Sequence, residues 1–295
     1  MTDPSPPVLE LRGIHRGFGK VQALRGADLV IDRPQVVGLI GRNGAGKSTL
    51  LKMIPCLLRA GSGTVRVFGE DPWLDQERIL DRIGWLGQDD FTYGAMQGRD
   101  LLEAAAAIHR TWDAALVERL LRRFDLDPRR RLSTLSGGQR RAVALILAIG
   151  HRPELLVLDE PAAGLDPVVR RELLEAVVEL LAEVGSTVIL SSHQFADLER
   201  LAERVVILHQ GRTLHDSSLE ALRQASRVET EQPLPAGVLP NELIVASTVV
   251  GGRPRCTVRL DADAVRQRLA AAAITAQVVA LPLEELFIAW TGGAP

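Results

Sequence analysis

The sequence has few cysteines, few lysines and no excess of positive charge, and these shortages narrow what the chain can be. Its two cysteines, Cys56 and Cys256, are too few and too far apart for a disulfide scaffold or a cysteine-based metal site. The net charge of −2 argues against a protein that holds nucleic acid through a strong positive field. Only three residues are lysines, so a lysine inside a motif carries weight.

Long apolar runs are also missing. No uninterrupted run approaches the roughly 18 residues that a membrane span needs. Residues 1–7 lack the apolar core of a signal peptide. We therefore expect a soluble, cytoplasmic chain, and 295 residues suit one large domain with a small second one.

A glycine-rich segment at residues 41–48, GRNGAGKS, is the most informative part of the sequence. It matches the pattern G-x-x-x-x-G-K-[ST] and lies between an apolar run at 36–40, predicted to be a buried strand, and a predicted helix at 48–54. Glycines let successive N–H groups face phosphate oxygens, and the helix start adds partial positive charge. We predict that Lys47 reaches the β- and γ-phosphates and that Ser48 binds Mg²⁺. The alternative is a merely flexible loop.

Two carboxylates follow a second apolar run at residues 155–158. Open α/β sheets bind ligands at the carboxyl ends of their strands. Asp159 is predicted to hold Mg²⁺, directly or through water, and Glu160 to orient or deprotonate the attacking water. Acidic residues also end strands for solvation alone, so the phosphate loop upstream is what favours the functional interpretation.

A third motif, LSGGQRR at residues 135–141, precedes a helical pattern at 142–148. Ser136 and two glycines at a helix start form another anion-binding terminus, although an ordinary helix start would look similar. The order of the three motifs resembles that of the ATP-binding subunit of ABC transporters: Walker A loop, signature, Walker B. The resemblance covers at least residues 8–215.

The resemblance implies an α/β fold. It comprises a P-loop NTPase core of the ABC type, an antiparallel β subdomain and a helical subdomain at about 89–150, all within residues 1–215. Residues 216–295 are predicted to be a small α+β domain, with strands at 243–246, 256–260 and 276–280 and helices at 262–273 and 283–290. This tail resembles the accessory domain of export-type subunits.

Further site residues follow from the resemblance alone. Phe18 stands where the family has an aromatic residue that stacks on adenine, unless it is a simple core aromatic. Gln88 matches the Q-loop glutamine, which reaches Mg²⁺ and the attacking water. Asp166 resembles the D-loop aspartate at the dimer interface, although Asp-Pro is also a helix-start signal. His193 resembles the switch histidine that contacts the γ-phosphate.

The complete predicted site has three parts. The catalytic residues are Glu160, His193 and Gln88, and the Mg²⁺ ligands are Ser48, Gln88 and Asp159. ATP is held by Phe18, Gly41, Arg42, Asn43, Gly44, Ala45, Gly46, Lys47, Ser48 and Thr49, and from across a dimer by Ser136, Gly137, Gly138, Gln139 and Asp166.

The resemblance also implies partners. Two chains would share each ATP, the partner being a second copy or a homologous ATPase subunit, and a separate transmembrane permease would bind beside the Q-loop. Phe91, Tyr93 and Met96 are candidate permease contacts. The predicted function is ATP hydrolysis that powers export, peripheral to the inner face of the membrane. The alternatives are an importer ATPase and a non-transport ABC ATPase that regulates a membrane complex.

Overall fold

Helices separate the strands between residues 36 and 209, as expected for an α/β fold, with three consecutive α-helices at residues 98–149. The computed structural model describes residues 6–88 and 94–292. The strands are β1 (Leu9–Phe18), β2 (Val21–Ile31), β3 (Val36–Ile40), β4 (Ser62–Val67), β5 (Ile83–Leu86), β6 (Leu155–Asp159), β7 (Thr187–Ser191), β8 (Arg204–His209), β9 (Arg212–Ser218), β10 (Ser226–Glu229), β11 (Ile244–Val250), β12 (Arg253–Val258) and β13 (Gln277–Ala280). The helices are α1 (Lys47–Leu51), α2 (Gln76–Leu80), α3 (Gly98–Ile108), α4 (Ala114–Arg123), α5 (Gly137–Ile149), α6 (Pro167–Val184), α7 (Phe195–Leu201), α8 (Leu219–Arg223), α9 (Ala262–Ala271) and α10 (Leu283–Thr291).

The central sheet has six strands in the order β5-β6-β7-β3-β8-β9. Strands β3, β6 and β7 are buried along their whole length, which fits their continuous apolar sequences and a sheet covered on both faces. Strand β7 pairs in parallel with β3 and β6, and β6 with β5, so their carboxyl ends meet at one edge. This edge carries both the phosphate loop and the two acidic residues.

A second sheet, antiparallel, has the order β2-β1-β4. It shares one hydrophobic core with α1 and with the central strands, including Leu11, Leu29, Leu50 and Val157. The antiparallel part expected from the sequence is therefore present, and helices α3, α4 and α5 lie in the region expected to be helical.

Helix α1 is shorter than the sequence predicted. It ends at Leu51 instead of residue 54, and residues 52–56 form turns. Pro55 has no N–H to donate to Leu51, whose carbonyl accepts instead from the N–H of Ile54 at 3.1 Å. The proline thus ends the helix one turn early.

The chain divides into two compact units, residues 1–202 with 206–215 and residues 203–205 with 216–295. The second unit has an antiparallel sheet of order β11-β12-β10-β13 and a core of Val228, Leu239, Val258, Val265 and Leu269. The predicted strands and helices of this tail are all found, but sequence reasoning missed β10 and α8. Within the described ranges, no helix is both long and apolar enough to cross a membrane.

Candidate nucleotide-binding site

The loop between β3 and α1 packs so closely against its neighbours that only glycine fits at two positions. A Cβ atom on Gly41 would lie 2.5 Å from the carbonyl oxygen of Leu208, and one on Gly46 would lie 2.7 Å from that of Ala23. Gly46 also has φ of 105°, in the left-handed region that favours glycine. The glycines therefore set the path of the loop and present its N–H groups at the start of α1.

Lys47 is buried at the base of this loop, with 7% of its surface exposed. Its Nζ donates a hydrogen bond to the Gly41 carbonyl oxygen at 2.7 Å and lies 3.8 Å from Oε1 of Glu160. A buried ammonium group is stable only with such partners. The lysine therefore joins the phosphate loop to the end of β6.

A cleft of about 420 Å³ opens over the loop. It brings together predicted residues that are distant in sequence: Phe18, Gln88, Glu160 and every residue from Arg42 to Thr49. Gly41 supports the cleft through Lys47. The cleft lining does not include Asp159, His193, Asp166 or the signature residues Ser136–Gln139.

Glu160 lies in a strained turn directly after β6. Its φ of 50° is in the left-handed region, unusual for a residue with a side chain. Oε2 of Glu160 lies 2.7 Å from the ring nitrogen Nδ1 of His193 and 3.3 Å from the backbone nitrogen of the same residue. Because an ionised carboxylate only accepts hydrogen bonds, Nδ1 is the donor. His193 therefore fixes the orientation of the Glu160 carboxylate.

Sequence reasoning missed Ser191, the last residue of β7. Its buried hydroxyl donates to Oδ1 of Asp159 at 2.7 Å and accepts from the N–H of Glu160 at 2.8 Å. Oδ2 of Asp159 is buried and has no hydrogen-bond partner among the described residues. One hydroxyl thus orients both acidic residues, and the only sequence signal was its position two residues before His193.

Arg141 was also missed. Although it belongs to the LSGGQRR segment, its guanidinium is buried and donates to carbonyl oxygens around the end of β6 and after β5. Sequence alone gave no reason to separate it from the neighbouring arginines.

Phe18 ends β1 with 47% of its surface exposed at the cleft, so it is not a core aromatic. The guanidinium carbon of Arg16 lies 5.1 Å from its ring centroid, a cation–π contact. The exposed ring offers a stacking surface to a planar base.

The signature turn begins α5. Ser136 is the N-cap: its Oγ accepts from the N–H of Gln139 at 3.1 Å, and Oε1 of Gln139 accepts from the N–H of Ser136 at 3.1 Å. Ser136 and Gly137 are exposed, and a Cβ on Gly137 would find its nearest neighbour only at 4.0 Å. This reciprocal capping box keeps the turn rigid while its outer face stays open.

Asp166 is exposed before α6, where its Oδ1 accepts from the N–H groups of Val168 and Val169 at 3.0 and 3.1 Å. These bonds cap the helix, which agrees with the helix-start interpretation and leaves a role at an interface as a prediction.

A groove of about 590 Å³ lies beside the Q-loop, between β5 and α5. Its lining includes Leu57, Trp85, Gly87 and Leu147, as well as two histidines. Leu57 is 58% exposed although it is apolar. Of the predicted permease contacts, Met96 is half-buried outside this lining, and Phe91 and Tyr93 lie outside the described residues.

The two histidines of the groove, His109 and His151, stack with ring centroids 3.9 Å apart. His151 is 2% exposed, and its Nε2 lies 3.2 Å from the Ile83 carbonyl oxygen. Burial, followed by the proximity of His109, lowers the pKa of His151 to about 4. His151 is therefore neutral at physiological pH.

Comparison with known sequences identifies related proteins. Residues 24–163 match the profile of a family described as ABC transporter. The chain is 35% identical to the daunorubicin resistance ATP-binding protein DrrA3 of Streptomyces coeruleorubidus, over 72% of this chain and 68% of the relative. It is 32% identical to the ABC transporter ATP-binding protein NatA of Bacillus subtilis (71% and 87%) and 28% identical to the bacitracin transport ATP-binding protein BcrA of Enterococcus faecalis (81% and 79%).

Solved structures of ABC transporter subunits superpose on this chain. An ATP-binding subunit of an ABC transporter superposes with a TM-score of 0.67 at 31% identity, over 73% of this chain and 92% of that one. The ATP-binding cassette MJ0796, a dimer bound to ADP and Pi, superposes with a TM-score of 0.63 at 23% identity, over 72% and 98%, a likeness of fold. The predicted α/β fold of the P-loop type is confirmed.

Proposed function

The chain belongs to the family of ABC transporter ATP-binding proteins, and we propose that it acts as one half of an ATP-driven dimer that powers export through a separate membrane protein. It binds nucleotide and hydrolyses ATP, as members of this family do. The observation that carries the dimer proposal is the exposed, rigid signature turn at Ser136–Gln139, which does not line the chain's own cleft.

The cleft supplies the groups that phosphate binding needs. Lys47 can exchange its bond to the Gly41 carbonyl for a phosphate oxygen, and the N–H groups at the start of α1 face the same ligand. The adenine base stacks on the Phe18 ring. Phosphoryl transfer depends mainly on positioning and charge stabilisation, which this rigid loop provides.

The Asp159 carboxylate fits a divalent cation. A buried carboxylate oxygen without a hydrogen-bond partner is costly unless a ligand satisfies it, and Oδ2 of Asp159 is such an atom. Asp159, Ser48 and Gln88 supply the oxygen ligands that Mg²⁺ prefers. Bound there, Mg²⁺ would neutralise charge on the phosphates.

Glu160 is the proposed general base. Its carboxylate lines the cleft and is held by His193, so it can orient a water molecule and accept its proton. His193, with its side chain 54% exposed, can reach toward the γ-phosphate. Gln88 faces the same cleft from the end of β5.

The signature turn completes the site in the second chain. Ser136, Gly137 and Gly138 present a hydroxyl and N–H groups at a helix start, which is an anion-binding arrangement. Because each chain has one cleft and one signature turn, a two-fold dimer contains two complete sites. ATP then holds the dimer closed, and hydrolysis releases it.

The relatives support the proposed direction of transport, and the groove supports the proposed membrane partner. DrrA3 and BcrA are described as resistance and transport proteins for daunorubicin and bacitracin, which favours export. The groove beside the Q-loop, with the exposed apolar side chain of Leu57, fits a helix of a permease. An importer subunit would use the same groove.

The permease proposal is tested by purifying the tagged chain from its native membranes in mild detergent. We expect one polytopic membrane protein to co-purify with the wild type and with Leu74→Arg, but not with Leu57→Arg. Leu74 is the matched control, because it is 85% exposed and lies outside the groove lining. Equal recovery with both variants would contradict the groove assignment, and a solute-binding protein in the complex would indicate import.

A further inference from the structure

Arg141, on the signature helix α5, donates hydrogen bonds to four backbone carbonyl oxygens outside that helix. It is 6% exposed. Its Nη1 donates to the Gly87 carbonyl at 2.5 Å, and its Nε donates to the Pro161 carbonyl at 2.8 Å. Its Nη2 donates to the carbonyls of Asp159 and Glu160 at 3.1 and 2.8 Å. One side chain therefore holds the backbone of two separate segments.

Both segments carry residues of the cleft. Gly87 directly precedes Gln88, and Asp159 to Pro161 form the strained turn that presents Glu160. A guanidinium has a planar fork of five donors, so it can fix several carbonyls at defined angles, which a lysine cannot do. The bonds of Arg141 thus determine where the backbone of Gln88 and Glu160 lies.

The same helix begins with the signature. Ser136 is the N-cap of α5, and Arg141 follows five residues later, about 7.5 Å along the axis at a helical rise. A displacement of the helix start moves Arg141 with it, because the intervening turn is fixed by the capping box and the helical hydrogen bonds. The guanidinium therefore links the signature end of α5 to the cleft of its own chain.

We propose that Arg141 is a positioning residue for ATP hydrolysis, which aligns Gln88 and Glu160 of its own cleft with the signature helix. This inference rests on the proposed dimer, in which that helix start binds the partner's nucleotide. Engagement of the partner's ATP then fixes the geometry of the residues that act on the chain's own ATP.

The test separates turnover from binding. For Arg141→Met we expect kcat to fall by about 10- to 100-fold, since small misplacements of reacting groups have effects of this size. The Kd for ATP of the isolated chain should stay within about twofold, since the residues of the phosphate loop are unchanged. Arg141→Lys keeps the positive charge but loses the planar guanidinium, so its kcat should fall less than that of Arg141→Met. It replaces the methionine variant in the test if that variant does not fold.

The matched control is Arg82→Met. Arg82 bonds both carboxylate oxygens of Glu154 at 2.6 and 2.8 Å, and so joins β5 and β6 at their amino ends, whereas Arg141 acts at their carboxyl ends. Its loss should lower the unfolding temperature and leave kcat within about twofold of the wild type. If Arg141→Met changes kcat no more than Arg82→Met does, the proposal is overturned. If Arg141→Met does not fold, the same criterion applies to Arg141→Lys.

Mixed dimers show which cleft is affected. An Arg141→Met chain paired with a Glu160→Gln chain leaves only the cleft of the Arg141→Met chain active, and its turnover should be low. A chain with both substitutions paired with a wild-type chain leaves only the partner's cleft active, and turnover should match that of a wild-type and Glu160→Gln pair. Equal losses in both pairs would reveal a merely structural role for Arg141 in α5. If the Glu160→Gln chain by itself forms no ATP-dependent dimer, the proposed dimer is wrong. The comparison of kcat between Arg141→Met and Arg82→Met still decides whether Arg141 positions the residues of the cleft.

Discussion

The phosphate-loop cleft and the signature turn differ in how much of their bonding is completed within one chain. Lys47 and Glu160 of the cleft, and Asp159 directly before Glu160, are all buried and held by hydrogen bonds or ion pairs. At the signature turn, Ser136 and Gly137 are exposed and bonded only within their own helix start, as far as the described contacts go. The first region is pre-organised by the fold, and the second presents a prepared surface to another molecule.

This contrast predicts that substitutions in the two regions fail at different steps. A change in the cleft should alter nucleotide binding or chemistry in the isolated chain. A change at the signature turn should leave the isolated chain able to bind ATP and should impair only ATP-driven dimerisation and the hydrolysis that depends on it.

The largest effect is expected on the rate of ATP hydrolysis, from a substitution in the cleft. Glu160→Gln keeps the size of the side chain but cannot accept a proton, so kcat should fall by about 100-fold or more. ATP should still bind, and with Mg²⁺ the variant should accumulate as a dimer in light scattering. Glu154→Gln, a substitution at an exposed glutamate just before the same strand, should leave turnover unchanged. Hydrolysis by Glu160→Gln at the wild-type rate would exclude Glu160 as the base.

The second largest effect is expected on dimerisation, from a substitution at the signature turn. Gly137→Asp adds a negative charge where the partner's γ-phosphate is expected, and the open space around Gly137 lets the fold survive. ATP affinity of the monomer should stay within about threefold, while ATP-driven dimerisation should weaken by about tenfold or more. Equilibrium binding of a fluorescent ATP analogue and light scattering measure the two quantities. Loss of ATP binding in the monomer would place the signature in the chain's own pocket.

The smallest effect is expected on stability, at a residue outside both regions. The folded-state pKa of His151 is about 4, below its unfolded value, so the unfolded chain binds the proton first as the pH falls. His151 should therefore lower the free energy of unfolding by about 1–2 kcal/mol between pH 7 and pH 5, and it should have no such effect above pH 7. His151→Gln should flatten that slope in urea unfolding curves. An unchanged slope would show that His151 is not the titrating group.

Much of the fold followed from local sequence, and what did not follow depends on tertiary contacts. Strands β3 and β6 were predictable because continuous apolar runs mark buried parallel strands. Strand β10 was missed because its sequence, SRVE, has one apolar residue, and its place is set by pairing with β12 and β13. Helix α1 stops at Leu51 and not at residue 54 because Pro55 has no N–H, and the Leu51 carbonyl accepts from the N–H of Ile54 instead, a contact that the apolar pattern does not reveal.

The candidate site shows the same division. The phosphate loop, Asp159 and Glu160 were predicted from patterns of neighbouring residues. Ser191 and Arg141 were not, because their hydrogen bonds join residues 18 to 54 positions apart. The roles of all these residues in catalysis stay predictions until the variants are measured.

The central claim, that each ATP is bound by the cleft of one chain and the signature turn of another, is tested most directly by mixing two inactive variants. Lys47→Ala removes the buried ammonium group from the cleft. It should weaken phosphate binding by about 10- to 100-fold, since a charge-assisted hydrogen bond contributes about 1.5–3 kcal/mol, and turnover should be lost because the phosphates are no longer positioned. Gly137→Asp disables the signature turn. Each variant alone is expected to be inactive.

In a mixed dimer, the intact cleft of the Gly137→Asp chain meets the intact signature turn of the Lys47→Ala chain, and one of the two sites is complete. An equal mixture with random pairing should therefore recover about a quarter of the wild-type ATPase activity, since half of the dimers are mixed and each has one working site. Activity of the mixture no higher than that of the two variants measured separately would contradict the two-chain site.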